Sequence, residues 1–227
     1  MEGIKSLYDH RFSFEERKTK EKVWAVLCRS YFQQYVDPKH DTVLDLACGF
    51  GEFTRHIEAR RRIALDINPA AEDIFTRWCD KEHQKIEFKV GQASKMHFLT
   101  DQEVDVCFTS NFFEHLPNKY VMDEVLSEVW RVLKPGGRFI ALQPNLHAVG
   151  NKYWDYYDHH LPLTPNSCKE GFIKSGFTVQ TLIPKFLPYT TKGALPKHPL
   201  WIRLYLSFPP LWRLLGGQFL IVGQKPA

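Results

Sequence analysis

The sequence predicts an open α/β sheet, mostly parallel, with helices on both faces. Three observations lead there. Residues 43–51 read Val-Leu-Asp-Leu-Ala-Cys-Gly-Phe-Gly, an apolar strand that breaks into a two-glycine loop before the helical pattern Glu52 to Ile57. Strand and helix periods then alternate through residue 143, which calls for right-handed crossovers and parallel neighbours. The chain has 227 residues, 44% of them hydrophobic and 25% charged, enough for a sizeable core and ordinary for a folded protein.

The loop after the first strand is spaced Asp45-x-Ala47-x-Gly49-x-Gly51. A dinucleotide turn reads Gly-x-Gly-x-x-Gly and wraps a pyrophosphate. An acid at the strand end would repel phosphate but suits a ligand carrying an ammonium group. This pattern resembles motif I of the class I S-adenosylmethionine-dependent methyltransferases, and four further motifs follow in register. Ile63 to Asn68 resembles the family's second strand, and Ile86 to Val90 with Gly91-Gln92-Ala93-Ser94 resembles the third strand and its loop. Val104 to Asn111 running into Phe112-Phe113-Glu114-His115-Leu116-Pro117 resembles the fourth. Glu128 to Ile140 resembles the helix, Pro-Gly-Gly turn and fifth strand. The resemblance implies a Rossmann-like, seven-stranded, mostly parallel sheet with an antiparallel last strand. It also implies one methyltransferase domain over 1–227: a helical cap at 1–40, a cofactor-binding core at 41–143, and substrate-side insertions at 144–166 and 184–217.

The flanking elements are read from pattern. Glu15 to Val36 is helical, with Val23, Val26, Leu27 and Tyr31 apolar, and Asp37-Pro38 stops it. Such an extension is expected over the cofactor or substrate mouth. Arg60-Arg61-Arg62 reads as the solvated end of the first core helix. Asn166 to Ser175 is a helix with Gly176 as its cap, Phe177 to Ile183 a sixth strand, and Gln218 to Gln224 the last. Within 184–217, residues 200–215 are apolar on most sides, yet too short, charged and proline-interrupted to span a bilayer. Packing onto the core is the first expectation. A lid, a subunit contact or a peripheral membrane contact are the others.

By resemblance the cofactor is S-adenosylmethionine. Asp45 would face its ammonium directly or through water, and the loop of Ala47, Cys48, Gly49 and Gly51 its carboxylate. Asp66, with Ile67 beside it, would take the ribose hydroxyls. Gln92, Ala93 and Ser94 would lie at the adenine, and Asn111 and Phe112 would flank the methionyl arm. Gln92 stands where the family more often has an acid. For the acceptor, an oxygen nucleophile needs a base, and imidazole is the usual one near neutral pH. The candidates are His115, at the end of the fourth strand, and His159 and His160, in the loop Asn151 to His160 with Asp158 beside them. Tyr153, Trp154 and Tyr157, with His159 and His160, are candidate substrate contacts.

Charge and cysteines narrow the partners. Of 30 basic residues, seven lie in 171–227, which holds no acid; the other 23 share the first 170 positions with all 26 acids. That one-signed tail suits an anionic acceptor, and a glycan precursor on a lipid pyrophosphate fits both it and the apolar 200–215 stretch. A softer resemblance to bacterial methyltransferases of polysaccharide assembly points the same way. RNA methylation is the rival enzyme reading, and a non-catalytic cofactor- or partner-binding subunit the rival of another class. Methylation of adenine in DNA is disfavoured, because Asn111-Phe112-Phe113 lacks the paired prolines of that motif. Five cysteines without a Cys-x-x-Cys pair indicate neither a disulfide framework nor a metal centre. Residues 1–36 carry no apolar leader, so a cytoplasmic setting is expected.

Overall fold

The computed structural model describes residues 14–82, 85–189 and 198–227. Seven strands form one sheet: β1 (Thr42–Leu46), β2 (Arg61–Asp66), β3 (Glu87–Val90), β4 (Val104–Ser110), β5 (Leu133–Pro144), β6 (Thr178–Ile183) and β7 (Gln218–Gln224). Their order is β3-β2-β1-β4-β5-β7-β6. β7 runs antiparallel to both β5 and β6, and the other pairs are parallel. The helices are α1 (Phe14–Ser30), α2 (Glu52–His56), α3 (Ala70–Glu82), α4 (Lys119–Val132), α5 (Leu146–Val149), α6 (Pro165–Lys174), α7 (Pro199–Ser207) and α8 (Pro209–Leu215).

The central strands are apolar on both faces because both faces are covered. Alternate residues part into two cores. Leu44, Leu46, Cys107, Phe139, Ala141, Phe219 and Ile221 pack beneath α4 and α6. Val43, Val106, Phe108, Ile140, Leu142, Leu220 and Val222 pack against α1, α2 and α7. On the second face Phe53 of α2 stacks on Phe108 at 3.7 Å between ring centres. Burying each such ring contributes about 2–3 kcal/mol.

The boundaries differ from expectation where side chains outside the local pattern decide them. The first helix ends at Ser30 and gives way to a 3₁₀ turn, Phe32–Tyr35, that buries Phe32. Within the layer α1 packs against α2 and α7, and its Lys20 meets Glu52 at 2.9 Å beside the glycine loop. Arg60-Arg61-Arg62 is not a solvated helix end. α2 closes at His56, and Arg61 and Arg62 belong to β2. Arg61 grips Glu87 at 2.7 and 2.8 Å and Glu103 at 2.5 Å, tying β2 to β3 and to the residues before β4. Arg60 donates to His40 O and Thr42 Oγ1, and Arg62 to Thr54 O. Between β3 and β4 residues 91–103 form turns and no helix, so the strict alternation lapses there.

The basic tail is partly structural. Lys174 pairs with Asp123 at 2.6 Å. Lys225 caps the end of α4 by donating to the carbonyls of Trp130 and Leu133 at 2.7 and 2.8 Å, with its ammonium over the Trp130 ring. Lys192 and Lys197 lie outside the described residues. No described helix is long and apolar enough to cross a membrane. In 184–217 Phe186, Leu187 and Leu206 are buried, Tyr205 Oη donates to Phe186 O, and Trp212 Nε1 to Tyr205 O. Leu200, Trp201, Leu204, Phe208 and Leu214 stay exposed.

Candidate functional site

Strand order reverses between β1 and β4, and in an open parallel sheet that is where the crevice at the carboxyl ends opens. Three non-glycine residues among those described have positive φ, and two stand at this switch point: Ala47 at 57° and Asn111 at 50°. Gly49 and Gly51 follow at 55° and 74°. The loop is held by Cys48 N–H to Leu65 O and Gly51 N–H to Cys48 O. A Cβ on Gly49 would meet nothing within 4 Å, so its backbone faces open space; one on Gly51 would meet the Phe75 ring at 2.0 Å. Gly49 is free for a ligand, whereas Gly51 is needed for packing.

Asp66, at the end of β2, accepts from Gly49 N–H at 2.7 Å and from Asn68 N–H at 2.8 Å, through different oxygens. Each oxygen keeps a lone pair for a hydroxyl. Burial raises its pKa, against the pull of the backbone donors of Asn68, Gly49 and Ile67. Ile67, Gln92 and Asn111 are exposed and Ala93, Ser94 and Phe112 half-buried along the same rim. Asn111 receives Gln218 Nε2 at 2.6 Å, and Gln143 Oε1 accepts from Phe112 and Phe113 N–H. Neither glutamine stood out in the sequence.

Asp45 stands near the end of β1. It is 3% exposed and its Oδ2 takes both Thr54 N–H and Thr54 Oγ1–H. Burial pushes its pKa up to about 7 despite those donors. Through Oδ2 it therefore fastens β1 to α2. Cys48 is buried, and burial raises its thiol, leaving little thiolate for nucleophilic attack.

Beyond Asn111 the chain makes a 3₁₀ turn, Phe113–His115, and there a second cluster forms. One ligand atom from each of Glu114, His115 and His159 lies within 4.8 Å of the other two. His115 Nδ1 is 3.0 Å from Asp158 O and 3.3 Å from Asp158 Oδ2. Burial lowers the His115 pKa, but the Asp158 hydrogen bond and the charges of Glu114 and Asp158 outweigh it, so the net shift is upward. Glu114 is 3% exposed, its Oε2 has no hydrogen-bond partner, and burial pushes it up to about 7. The His159 ring lies 5.1 Å from that of His115 and stacks on Tyr156 at 4.9 Å.

This arrangement sorts the candidates. His115 and His159 come together, and His159 is the inward member of its pair. His160 contributes its backbone N–H to Glu114 O while its side chain is exposed. Tyr153 is not free to stack on a substrate: it is fully buried, donates to Leu161 O at 2.7 Å and packs on His159. Trp154 and Tyr157 are 56% and 92% exposed, and Trp154 meets the Tyr153 ring edge-on at 5.0 Å. Glu114 and Asp158 were missed, although Glu114 adjoins His115 and Asp158 adjoins His159. Tyr153→Phe is expected to cost about 1–3 kcal/mol by orphaning the Leu161 carbonyl, with cofactor affinity unchanged; thermal unfolding and calorimetry check both. Gly49→Ala should weaken cofactor binding, since its Cβ enters the open space before the loop, and should also cost about 1–2 kcal/mol of stability because the backbone there has φ 55°; calorimetry and thermal unfolding read the two.

A family model described as a methyltransferase domain matches residues 44–141. A demethylmenaquinone methyltransferase of Lactobacillus johnsonii is 27% identical over 149 residues, covering 62% of this chain and 59% of that protein. The chain thus spans little more than half the length of such curated relatives. The fold is shared with a SAM-dependent methyltransferase from Archaeoglobus fulgidus, with a TM-score of 0.63 and 23% identity over 91% of this chain and 94% of that one. It is shared too with a chain of the Haloferax volcanii complex of the Trm112 activator and a methyltransferase, with a TM-score of 0.67 and 18% identity over 93% of both chains.

Proposed function

We propose that this chain, whose residues 44–141 match a methyltransferase-domain family, is a class I S-adenosylmethionine-dependent methyltransferase that moves the methyl group of that cofactor to a hydroxyl-bearing small acceptor. The residues fit the cofactor: Asp66 has lone pairs for the ribose, Gly49 presents open backbone, and the Gln92–Ser94 rim is accessible for the adenine. Bound there, it supplies an electrophilic methyl on a sulfonium. The protein's part is alignment, worth roughly 7–11 kcal/mol of barrier in well-oriented reactions, and removal of the acceptor proton.

One observation carries the acceptor reading: Glu114 and His115 stand three and four residues beyond Asn111, and His159 converges on them from the loop before α6. An acceptor oxygen lodged there gives its proton to an imidazole of the cluster and attacks the methyl. The carbon–sulfur bond breaks with its electrons returning to sulfur, and S-adenosylhomocysteine is left. The exposed apolar row Leu200, Trp201, Leu204, Phe208 and Leu214 suits an acceptor with an apolar carrier, or a membrane on which that carrier sits. A sugar or glycan precursor on a lipid is our first reading of its chemistry. The chain's free cysteines, four of them buried, suit the reducing cytoplasm.

A second reading shares the same first step. Deprotonating a hydroquinone hydroxyl loads electron density onto the neighbouring ring carbon, which takes the methyl as the carbon–sulfur bond breaks; that carbon then loses its own proton to a base, restoring the aromatic ring. The apolar row and the name of the Lactobacillus johnsonii relative favour it. Incubation with isotope-labelled S-adenosylmethionine and either lipid-linked sugars or hydroquinones, followed by mass spectrometry, separates the two. A labelled ether supports the first, and a labelled ring carbon the second. Cofactor binding with no S-adenosylhomocysteine from any acceptor would overturn both. His159→Asn is expected to lower kcat by roughly 10²–10⁴ while cofactor affinity holds.

A further inference from the structure

We infer that Glu114, His115 and His159 form a binding site for a first-row divalent transition-metal ion, with Asp158 orienting His115 from behind. One carboxylate and two imidazoles are the donor set that zinc, manganese or iron takes, and imidazole is not a donor for calcium. The donor atoms lie within 4.8 Å of one another. Bonds of about 2.0–2.2 Å to an ion between them would need a side-chain adjustment of roughly an ångström, within reach of the Glu114 rotamer.

Two independent features point to a ligand. Glu114 Oε2 is buried with no hydrogen-bond partner, and such an atom is costly to leave unmet. His115 Nδ1 is taken by the carbonyl and carboxylate of Asp158. That leaves Nε2 as its coordinating atom, the carboxylate–histidine–metal relay by which proteins fix a ligating imidazole. Three protein ligands leave positions open, as catalytic rather than structural sites do.

The part the ion plays rests on the methyl-transfer reading; its binding does not. An acceptor hydroxyl entering an open position would release its proton to water at neutral pH, because the ion stabilises the alkoxide. The oxygen would then take the methyl as its carbon–sulfur bond breaks.

The test uses the full chain stripped with a chelator and titrated calorimetrically with Mn²⁺ and with Zn²⁺, and with Co²⁺ followed by visible absorption. We expect one saturable ion per chain and ligand-field bands for Co²⁺. Asp158→Asn should weaken binding by about tenfold and Glu114→Gln by at least as much. His97→Ala, an exposed histidine elsewhere, should change nothing. Glu114→Gln keeps shape and removes charge; if it fails to fold, His115→Asn takes its place. Absence of saturable binding, binding unaltered in Glu114→Gln, or equal loss in His97→Ala would overturn the site. Calorimetry with S-adenosylmethionine on the same metal-free protein separates this from failure of the methyl-transfer reading: cofactor heat without metal heat removes only the ion.

Discussion

Replacing Asp66 by alanine is expected to weaken S-adenosylmethionine binding by about a hundredfold or more. The carboxylate stands to accept two ribose hydroxyls, and hydrogen bonds to a charged group contribute about 1.5–3 kcal/mol each. The substitution also frees the N–H groups of Gly49 and Asn68, which now end on its two oxygens. The loop facing the ligand therefore loses its anchor together with the contact. Asp66→Asn should fall between the two, because the amide oxygen can serve one of those donors but carries no charge. Isothermal titration calorimetry reads the affinity, and thermal unfolding confirms that the sheet persists. An affinity unchanged in Asp66→Ala would remove the cofactor from this crevice.

Gly51→Ala should be the most damaging single methyl added near the site. Its backbone sits at φ 74°, where an L side chain costs about 1–2 kcal/mol. The new carbon would also lie 2.0–2.9 Å from the buried Phe75 ring, an overpacking of about 1–3 kcal/mol. Together, about 2–5 kcal/mol, these lower the unfolding temperature by roughly 4–20 °C for a chain of this length. The clash and the strain can be told apart. In a Phe75→Leu background the ring no longer opposes the methyl, so Gly51→Ala should cost less there than in the parent. Equal costs in both backgrounds would show that the loop relieves the contact by moving.

The glycine loop and the strand sequence were legible because both depend on neighbours in the chain. Positive φ selects glycine locally, and strands buried on both faces read as unbroken apolar runs. Gln218 to Gln224 was placed to the residue, and so was the antiparallel end of the sheet. The acceptor side was less readable. His115 and His159 were named among the candidates, but which histidine of the second pair turned inward was not.

The chain by itself determined the sheet, its crevice and the carboxylate Asp66 at its rim, since backbone conformation and alternating hydrophobicity act within a few residues. Tertiary structure alone decided the rest. His115 is oriented by Asp158, 43 positions away; Arg61 is spent on Glu87 and Glu103; Asp45 is turned to Thr54; and Tyr153 is sealed against Leu161. A polar side chain's role follows from which partner and how much water it meets, and both are set by packing between segments that local pattern does not connect.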